Sequence, residues 1–348
     1  MGLGKLPAEL VEAVVTELCI HCSPGVERCC YNSNCYCANM DPADVERIHA
    51  LTGLCLTSRH LNSIATRHLY HAIDSRCWLL LGRTRVARPD LALLARTMRN
   101  CWSYGTDQRS CPTMQDLYAY FSSKRATYLE TVSEELSEED WPQESLKGRV
   151  DDDAFWAGDN NLPLDILTSL CPNLEALDVS VSYFHAFRFC TPNSLPHLKH
   201  VIIAHADTTY GIDLSNIFPL LRAAPNLTRA VFWSVDACGE LDVTLPKLTY
   251  LHLQNTSISV ESLVNILRAC PNLETFHYTM GVGERHDQFP LSAVRAAFLE
   301  NAPNLKVLTL GAGENDHCDE DWDEDEAPRL ARVFEEREVK FEFKPYDW

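Results

Sequence analysis

The chain has 348 residues, 46% of them hydrophobic and 23% charged, which is enough for one large or two medium domains with a buried core. Its formal net charge of −19 argues against nucleic acid as a partner, because phosphate backbones bind basic surfaces. No apolar run approaches the roughly 18 residues of a membrane helix, and the opening MGLGKLPAEL has no apolar signal region. We therefore expect no membrane association and an intracellular location, in the cytoplasm or nucleus, where cysteines stay reduced.

Two or three short amphipathic helices are predicted within residues 1–75. In the first, an apolar residue recurs every four positions at Leu6, Leu10, Val14 and Leu18, and Val11 and Val15 widen the stripe. Two later segments also have apolar residues at helical spacing, and Ser58 between them is the predicted N-cap of the second. The residues are Val45, Ile48, Leu51 and Leu54 in the first segment, and Leu61, Ile64, Ala65, His68 and Leu69 in the second. So small a unit buries little apolar surface, so a partner or the rest of the chain must cover it.

A cysteine-rich insert at 19–40 separates these helices. It contains His21 and six cysteines, namely Cys19, Cys22, Cys29, Cys30, Cys35 and Cys37. The Cys19-x-x-Cys22 pair is compatible with zinc, whereas Cys35-x-Cys37 and the adjacent Cys29-Cys30 do not have the usual two-residue spacing. We favour a loop with unreactive thiols and assign no metal ligand and no cofactor, with structural zinc as the open alternative.

Residues 76–160 are predicted as a weak start of the repeats that follow, and then a linker. We expect a strand at 77–81, a helix over 87–100, a strand at 101–104, a helix over 112–136 and an acidic linker over 137–160.

A repeated pattern then returns six times between residues 162 and 312. Each copy reads Pro, one residue, Leu, two residues, an apolar residue, one residue, an apolar residue, as in CPNLEALDV and APNLKVLTL. The copies begin at Pro172, Pro196, Pro225, Pro246, Pro271 and Pro303. The last two apolar positions alternate as a short strand, and proline bars a preceding helix from continuing. Helices are predicted between copies, over 164–170, 214–223, 262–269 and 291–299. Such repeats stack as a solenoid with a parallel sheet on a curved inner face and helices outside, an α/β architecture.

The charge of the chain is concentrated in two acidic segments. Residues 130–153 carry −8 and residues 314–326 carry −9, so they account for nearly the whole net charge. We interpret both as solvated loops, with docking of a basic partner as the alternative. Past the second segment, VKFEFKP alternates Val339, Phe341 and Phe343, which predicts a final strand.

The N-terminal helices, LPAELVEAVVTEL and LTGLCLTSRHLNSIATRHLYHAI, resemble the F-box, most closely that of fungal F-box proteins, and residues 162–312 resemble irregular leucine-rich repeats. The resemblance implies an F-box-like domain at 1–75 and a repeat domain at 161–348 with an acidic loop at 314–326. In that family the Leu-Pro opening and apolar helices bind the Skp-type adaptor of an SCF-type cullin–RING ubiquitin ligase, and the repeats bind the protein to be ubiquitinated. The residues that match are Leu6, Pro7, Leu10, Val14, Leu18, Leu51, Leu54, Leu56 and Leu61. Alternatively, these helices only cap the open end of the solenoid.

The inner face of the predicted sheet is the candidate surface for the client protein. The third and fifth positions of each strand pattern, and the residue after it, point outward on this face. We select His200, Arg229, Trp233, Tyr250, His252 and His277 from these positions. Tryptophan, tyrosine and arginine are the residue types that dominate interface energetics. Alternatively, these are ordinary surface residues without a role in binding.

No catalytic motif is present in the sequence. It has no Gly-x-Ser-x-Gly elbow, no phosphate-binding glycine loop and no His-Glu-x-x-His pair. Cys171 and Cys270 come directly before repeat prolines, where we expect buried small hydrophobes. Together with this absence, the resemblance to F-box proteins implies a non-enzymatic substrate receptor of a ubiquitin ligase, with an adaptor-free interaction scaffold as the alternative.

Overall fold

The computed structural model describes residues 6–22, 42–73, 84, 88–100, 161–181, 186–205, 212–236, 242–280, 291–311 and 326–344. The acidic stretch 130–153, the predicted helix over 112–136, the linker to residue 160 and most of 314–326 lie outside these residues, as do the predicted strands at 77–81 and 101–104. The described chain is a mixed α/β fold in two compact units. The first comprises Met1–Leu129 and Leu170–Val179, and the second Glu130–Ser169 and Ser180–Trp348.

Three helices open the first unit, as the N-terminal stripes predict. They are α1 (Ala8–Leu18), α2 (Pro42–Thr57) and α3 (Arg59–Leu69). Ser58 is the N-cap of α3, because its hydroxyl accepts a hydrogen bond from the Leu61 N–H at 3.2 Å, which confirms the predicted cap.

Three parallel strands follow in the first unit, and one of them corrects the sequence prediction. They are β1 (Ala72–Ile73), β2 (Thr97–Asn100) and β3 (Ala176–Val181), with β2 in the middle. The helix predicted over 87–100 is limited to Pro89–Ala92, because residues 97–100 pair with a strand on either side. Tertiary pairing and the burial of Met98 outweigh the helical periodicity here.

The second unit is built on six parallel strands in chain order, β4 (His200–His205), β6 (Arg229–Trp233), β8 (Tyr250–Thr256), β9 (Thr275–Met280), β10 (Val307–Gly311) and β11 (Lys340–Lys344). A two-stranded pair, β5 (Ile212–Asp213) with β7 (Val235–Asp236), lies apart from them. β11 is the edge strand beside β10, as predicted for residues 339–343.

Each repeat proline occupies the second position of a tight turn that leads into a strand. In all six copies the leucine N–H donates to the carbonyl three residues earlier, at 3.1–3.3 Å, as Leu273 does to Cys270. Proline suits this position because its fixed φ matches the turn and its missing N–H is not needed there. Cys171 and Cys270, which begin two of these turns, are buried as expected.

Asparagine side chains join successive copies of the second unit. Asn226, Asn272 and Asn304 each follow a repeat proline, and each donates its side-chain N–H to the carbonyl of the preceding copy's proline, at 2.7, 2.8 and 3.2 Å respectively. The sequence shows these asparagines at a constant position but does not reveal their partners. They form a ladder along the turns.

Helices cover one side of the strands in the second unit. They lie at Asn161–Ser169, Phe218–Ala223, Val260–Ala269, Leu291–Asn301 and Glu326–Glu335, with a 3-10 turn at Leu214–Ile217. The last of these helices is not predicted from the sequence. Aromatic rings connect these layers, since Phe298 contacts both Phe276 of β9 and Phe334, at centroid distances of 5.1 and 6.4 Å.

The asparagine ladder yields a stability prediction. Asn272→Ala removes two hydrogen bonds between copies, the one it donates to the Pro246 carbonyl and the one its Oδ1 accepts from Asn304. The turn is open to solvent, so the loss in the free energy of unfolding should be about 1–2 kcal/mol. Urea unfolding of the full chain measures this loss. His197→Ala, at the same position of a copy without the asparagine, is the matched control and should change stability less. Equal losses in both variants would contradict the ladder.

Candidate functional sites

The three N-terminal helices enclose a small core of their own. Its fully buried members come from all three helices and are Val11, Val15, Leu51, Leu61, Ile64 and Ala65. Partly buried side chains pack around it, namely Leu6, Leu18, Leu54, Cys55 and Leu69.

This packing selects one of the two apolar stripes of α1. Val11 and Val15 are 2% and 0% exposed, whereas Leu10 and Val14 are 53% and 42% exposed. The sequence pattern indicates Leu10 and Val14 as part of the main apolar stripe of α1, and Val11 and Val15 as its extension. In the structure it is Val11 and Val15 that face the core. The two stripes point about 100° apart around the helix axis, and α2 and α3 cover Val11 and Val15 together with the ends of the other stripe, Leu6 and Leu18, which leaves Leu10 and Val14 at the surface.

The predicted adaptor-contacting residues accordingly fall into three groups. Those at the surface are Pro7, Leu10, Val14 and Leu56, and Leu56 is 83% exposed. Leu6, Leu18 and Leu54 are half-buried. Leu51 and Leu61 are core residues at 2% and 4% exposure, so they hold the helices together and present no surface to a partner. The accessible apolar surface therefore comes from the first group.

The predicted client-binding residues occupy neighbouring strands of the second unit. His200, Arg229 and Tyr250 stand side by side in the register of β4, β6 and β8. Two residues further along β8, on the same face, His252 pairs with His277 of β9. The Arg229 guanidinium lies 4.1 Å from the Tyr250 ring centroid, and the His277 ring is 5.3 Å from that ring. The structure thus brings a cation and three rings together.

Burial within this patch is uneven. His200 is exposed, and Arg229, Trp233, Tyr250 and His277 are half-buried. His252 is only 6% exposed, so it supports its neighbours rather than offering a contact surface. Burial, and then the charges of His277 and Arg229, lower the pKa of His252 to about 3. Burial also lowers the pKa of His277. Both rings are therefore neutral at physiological pH, and Arg229 supplies the charge among the six selected residues.

A third site joins residues that are far apart in the sequence. Cys19 and Cys22 lie just beyond α1, His68 lies in the last turn of α3, and His71 precedes β1. One ligand atom from each, two sulfurs and two ring nitrogens, lies within 4.8 Å of every other. Cys19 and His68 are buried, and Cys22 and His71 are partly buried. This cysteine–histidine cluster differs from the cysteine insert considered above, because two of its members are distant histidines. Cys29, Cys30, Cys35 and Cys37 lie outside the described residues.

Neighbouring side chains hold the cysteine–histidine cluster in place. The Glu12 carboxylate lies 2.9 Å from His68 Nε2. The His71 carbonyl accepts hydrogen bonds from the Arg96 and Thr97 N–H groups at 2.8 and 2.9 Å, which anchors this residue at the start of β2. Burial, followed by the neighbouring histidines and Arg96, lowers the pKa of His71 to about 4. Its ring is therefore neutral at physiological pH.

Comparison with known proteins adds no family to this description. A scan against models of protein families matches no part of the chain, and a search of curated proteins finds no similar protein. Among the described residues, no helix has both the length and the apolar character needed to cross a membrane.

The buried His252 predicts a dependence of stability on pH. Its pKa in the folded chain is about 3, below the roughly 6.5 of an unfolded histidine, so the unfolded state binds the extra proton as the pH falls below 6.5. This residue should therefore lower the free energy of unfolding by roughly 2–3 kcal/mol at pH 4.5 relative to pH 7.5. His252→Gln should lose that part of the pH dependence, measured by urea unfolding at both pH values.

The exposed His197 provides the control for this experiment. His197→Gln makes the same substitution at the surface and should leave the pH dependence as in the wild type. A loss at low pH that is the same in His252→Gln and the wild type would contradict the assignment.

Proposed function

We propose that this protein is the substrate-recognition subunit of an SCF-type cullin–RING ubiquitin ligase, active in the cytoplasm or nucleus. Its N-terminal helices bind the Skp-type adaptor, and its stacked strands bind the client protein. The observation that carries the proposal is the exposed apolar group on folded helices, Leu10, Val14 and Leu56, at positions that match the F-box resemblance.

Energetics support docking at this surface. The helices already have a core of their own, so Leu10 and Val14 are not needed to close it. Because they are one helical turn apart on α1, they present a continuous apolar strip. Complete burial of such a side chain in a partner's groove contributes about 1.5–3 kcal/mol. Apolar helix positions spaced by a turn are the anchors typical of helix-in-groove recognition.

The second unit supports the client-binding half of the proposal. Its parallel strands and helices are consistent with a leucine-rich-repeat solenoid, in which the strands offer an extended binding surface. The accessible side chains there include Trp233, Tyr250 and Arg229, which are typical of interface hot spots. Adaptor and client would then contact different units of the chain.

The proposed role requires no chemistry from this chain. Adaptor binding links it to the cullin and the ubiquitin-transferring subunits, and client binding places the substrate near them. Holding two reactants together raises their effective concentration, which is how such a receptor accelerates transfer.

Substitutions on the exposed helix surface test the adaptor contact. Leu10→Asp and Leu56→Asp should each weaken adaptor binding at least tenfold, because each places a charge in the apolar groove. Both positions are exposed, so the free energy of unfolding should change by less than about 0.5 kcal/mol. Titration calorimetry of the full chain with purified Skp-type adaptor measures the affinity, and circular dichroism checks the helices.

Leu93→Asp is the matched control, since Leu93 is 49% exposed but lies outside the helices. It should bind the adaptor like the wild type. Failure of the folded wild-type chain to bind any adaptor would reject the ligase role and favour an interaction scaffold.

The client surface makes a separate prediction. A client is defined as a protein that binds the purified chain and whose cellular lifetime lengthens when this chain is removed. Trp233→Ala and Tyr250→Ala should each weaken its binding by about 1 kcal/mol or more. Arg295→Ala, on the exposed side of the helix Leu291–Asn301, is the control and should have no effect. Unchanged affinity in both aromatic variants would place the client elsewhere.

A further inference from the structure

We propose that Cys19, Cys22, His68 and His71 bind one zinc ion, which fixes the end of α1 to the end of α3 and to the start of β1. The site is independent of the ligase proposal. It also differs from a zinc site built from the cysteines of the insert alone, because its second pair of ligands, His68 and His71, lies about fifty positions further along the chain.

Distances within the cysteine–histidine cluster fit tetrahedral zinc. Zn–S bonds of about 2.3 Å and Zn–N bonds of about 2.0–2.1 Å place sulfur and nitrogen ligands roughly 3.5 Å apart around the ion. In the structure His71 Nδ1 lies 3.6 Å from Cys19 Sγ and 3.5 Å from Cys22 Sγ, and His68 Nδ1 lies 3.8 Å from Cys22 Sγ. No pair of the four atoms is more than 4.8 Å apart, so shifts of about 1 Å complete the tetrahedron.

The donor atoms select the metal and the kind of site. Two thiolates with two imidazoles suit zinc, whereas calcium and magnesium prefer oxygen ligands. Four protein ligands leave no position for water or substrate, which is the arrangement of structural zinc. We therefore assign the ion a role in folding.

Glu12 gives His68 the orientation that a metal ligand needs. Its carboxylate accepts a hydrogen bond from His68 Nε2 at 2.9 Å, which leaves the lone pair on Nδ1, the atom that faces Cys22. A carboxylate behind a metal-binding histidine is the usual outer support of zinc sites. His21 is also close, with Nδ1 3.5 Å from Cys22 Sγ and Nε2 3.5 Å from the Glu175 carboxylate, but it lies outside the group of four ligand atoms that are all within 4.8 Å of one another.

A metal at this position would supply what the helical core lacks. Among the described residues, six buried apolar side chains form the core of α1, α2 and α3, and small cores commonly need a metal or disulfide. The ion would connect the end of α1, on the N-terminal side of residues 23–40 of the insert, to the end of α3.

Metal content of the full chain tests the assignment. Protein produced with zinc supplied should contain one zinc ion per chain by plasma mass spectrometry. Cys22→Ser and His71→Asn should lose it, whereas the controls Cys55→Ser, in the same helical unit, and His21→Gln should retain it. Replacing Cys29, Cys30, Cys35 and Cys37 together by serine should also leave the zinc in place.

Two further measurements apply even where a ligand variant does not fold. Cobalt added to zinc-stripped wild-type chain should give the visible absorption of a tetrahedral site with thiolate ligands. Glu12→Gln keeps all four ligands and should lower zinc affinity about 10–100-fold by competition with a chelator.

Three results would overturn the proposal. One is wild-type protein without zinc despite its supply. Another is zinc that stays bound in both Cys22→Ser and His71→Asn, or zinc that is lost only when Cys29, Cys30, Cys35 and Cys37 are replaced. The third is a Cys19–Cys22 disulfide found by mass spectrometry in protein purified under reducing conditions.

Discussion

The carbonyl group just before a parallel strand organises the pairing of the strands, because for β1, β2, β4, β6, β8 and β9 it accepts two N–H groups from the neighbouring strand. Thr249 accepts from Glu274 and Thr275, both at 2.9 Å, and Glu274 accepts from Lys306 and Val307 at 2.7 and 3.0 Å. The same pairing recurs in the first unit, where Arg96 accepts from Glu175 and Ala176 at 2.7 and 3.1 Å. A parallel strand slipped by one residue would turn its buried side chains outward, so this shared acceptor fixes which residues face the helices.

The candidate surfaces follow from that fixed register. Once Phe276 faces the helices, His277 must face the other way, beside Tyr250 and His252. In the first unit the constraint is helix packing, since burial of Val11 and Val15 leaves Leu10 and Val14 outside. In both units the proposed binding residues are side chains that the core leaves accessible. A folded chain with accessible apolar and aromatic side chains at defined positions is suited to recognition.

The sequence predicts the fold where the signal is local and repeated. Proline and leucine at fixed positions indicate the turn and the strand of each of the six copies, and Ser58 is recognisable as a cap because its partner is three residues away. Prediction fails where distant segments decide the outcome. Residues 97–100 become a strand because Ala72–Ile73 and Ala176–Val179 flank them, and no periodicity within 87–100 contains that information.

The candidate sites show the same division. The F-box resemblance selects Leu10, Val14 and Leu56 together with Leu51 and Leu61, and only the structure shows that the last two are buried in the core. The sequence pattern places His68 in the apolar stripe of α3. Its position near Cys22 follows only from the packing of α3 against α1. The sequence does contain a signal for this cluster, because His71 follows His68 by three residues. The pairs Cys19-x-x-Cys22 and His68-x-x-His71 together identify the four residues if the long segment between the pairs is disregarded.

Hydrogen exchange of the full chain, with and without the Skp-type adaptor, tests the central claim most directly because it reports on each segment separately. We expect adaptor binding to slow exchange of the amides in residues 8–18 and in the last turn of α2, while strands β8, β9 and β10 are unchanged. Protection confined to the second unit, or no protection of the helices at saturating adaptor, would contradict the account.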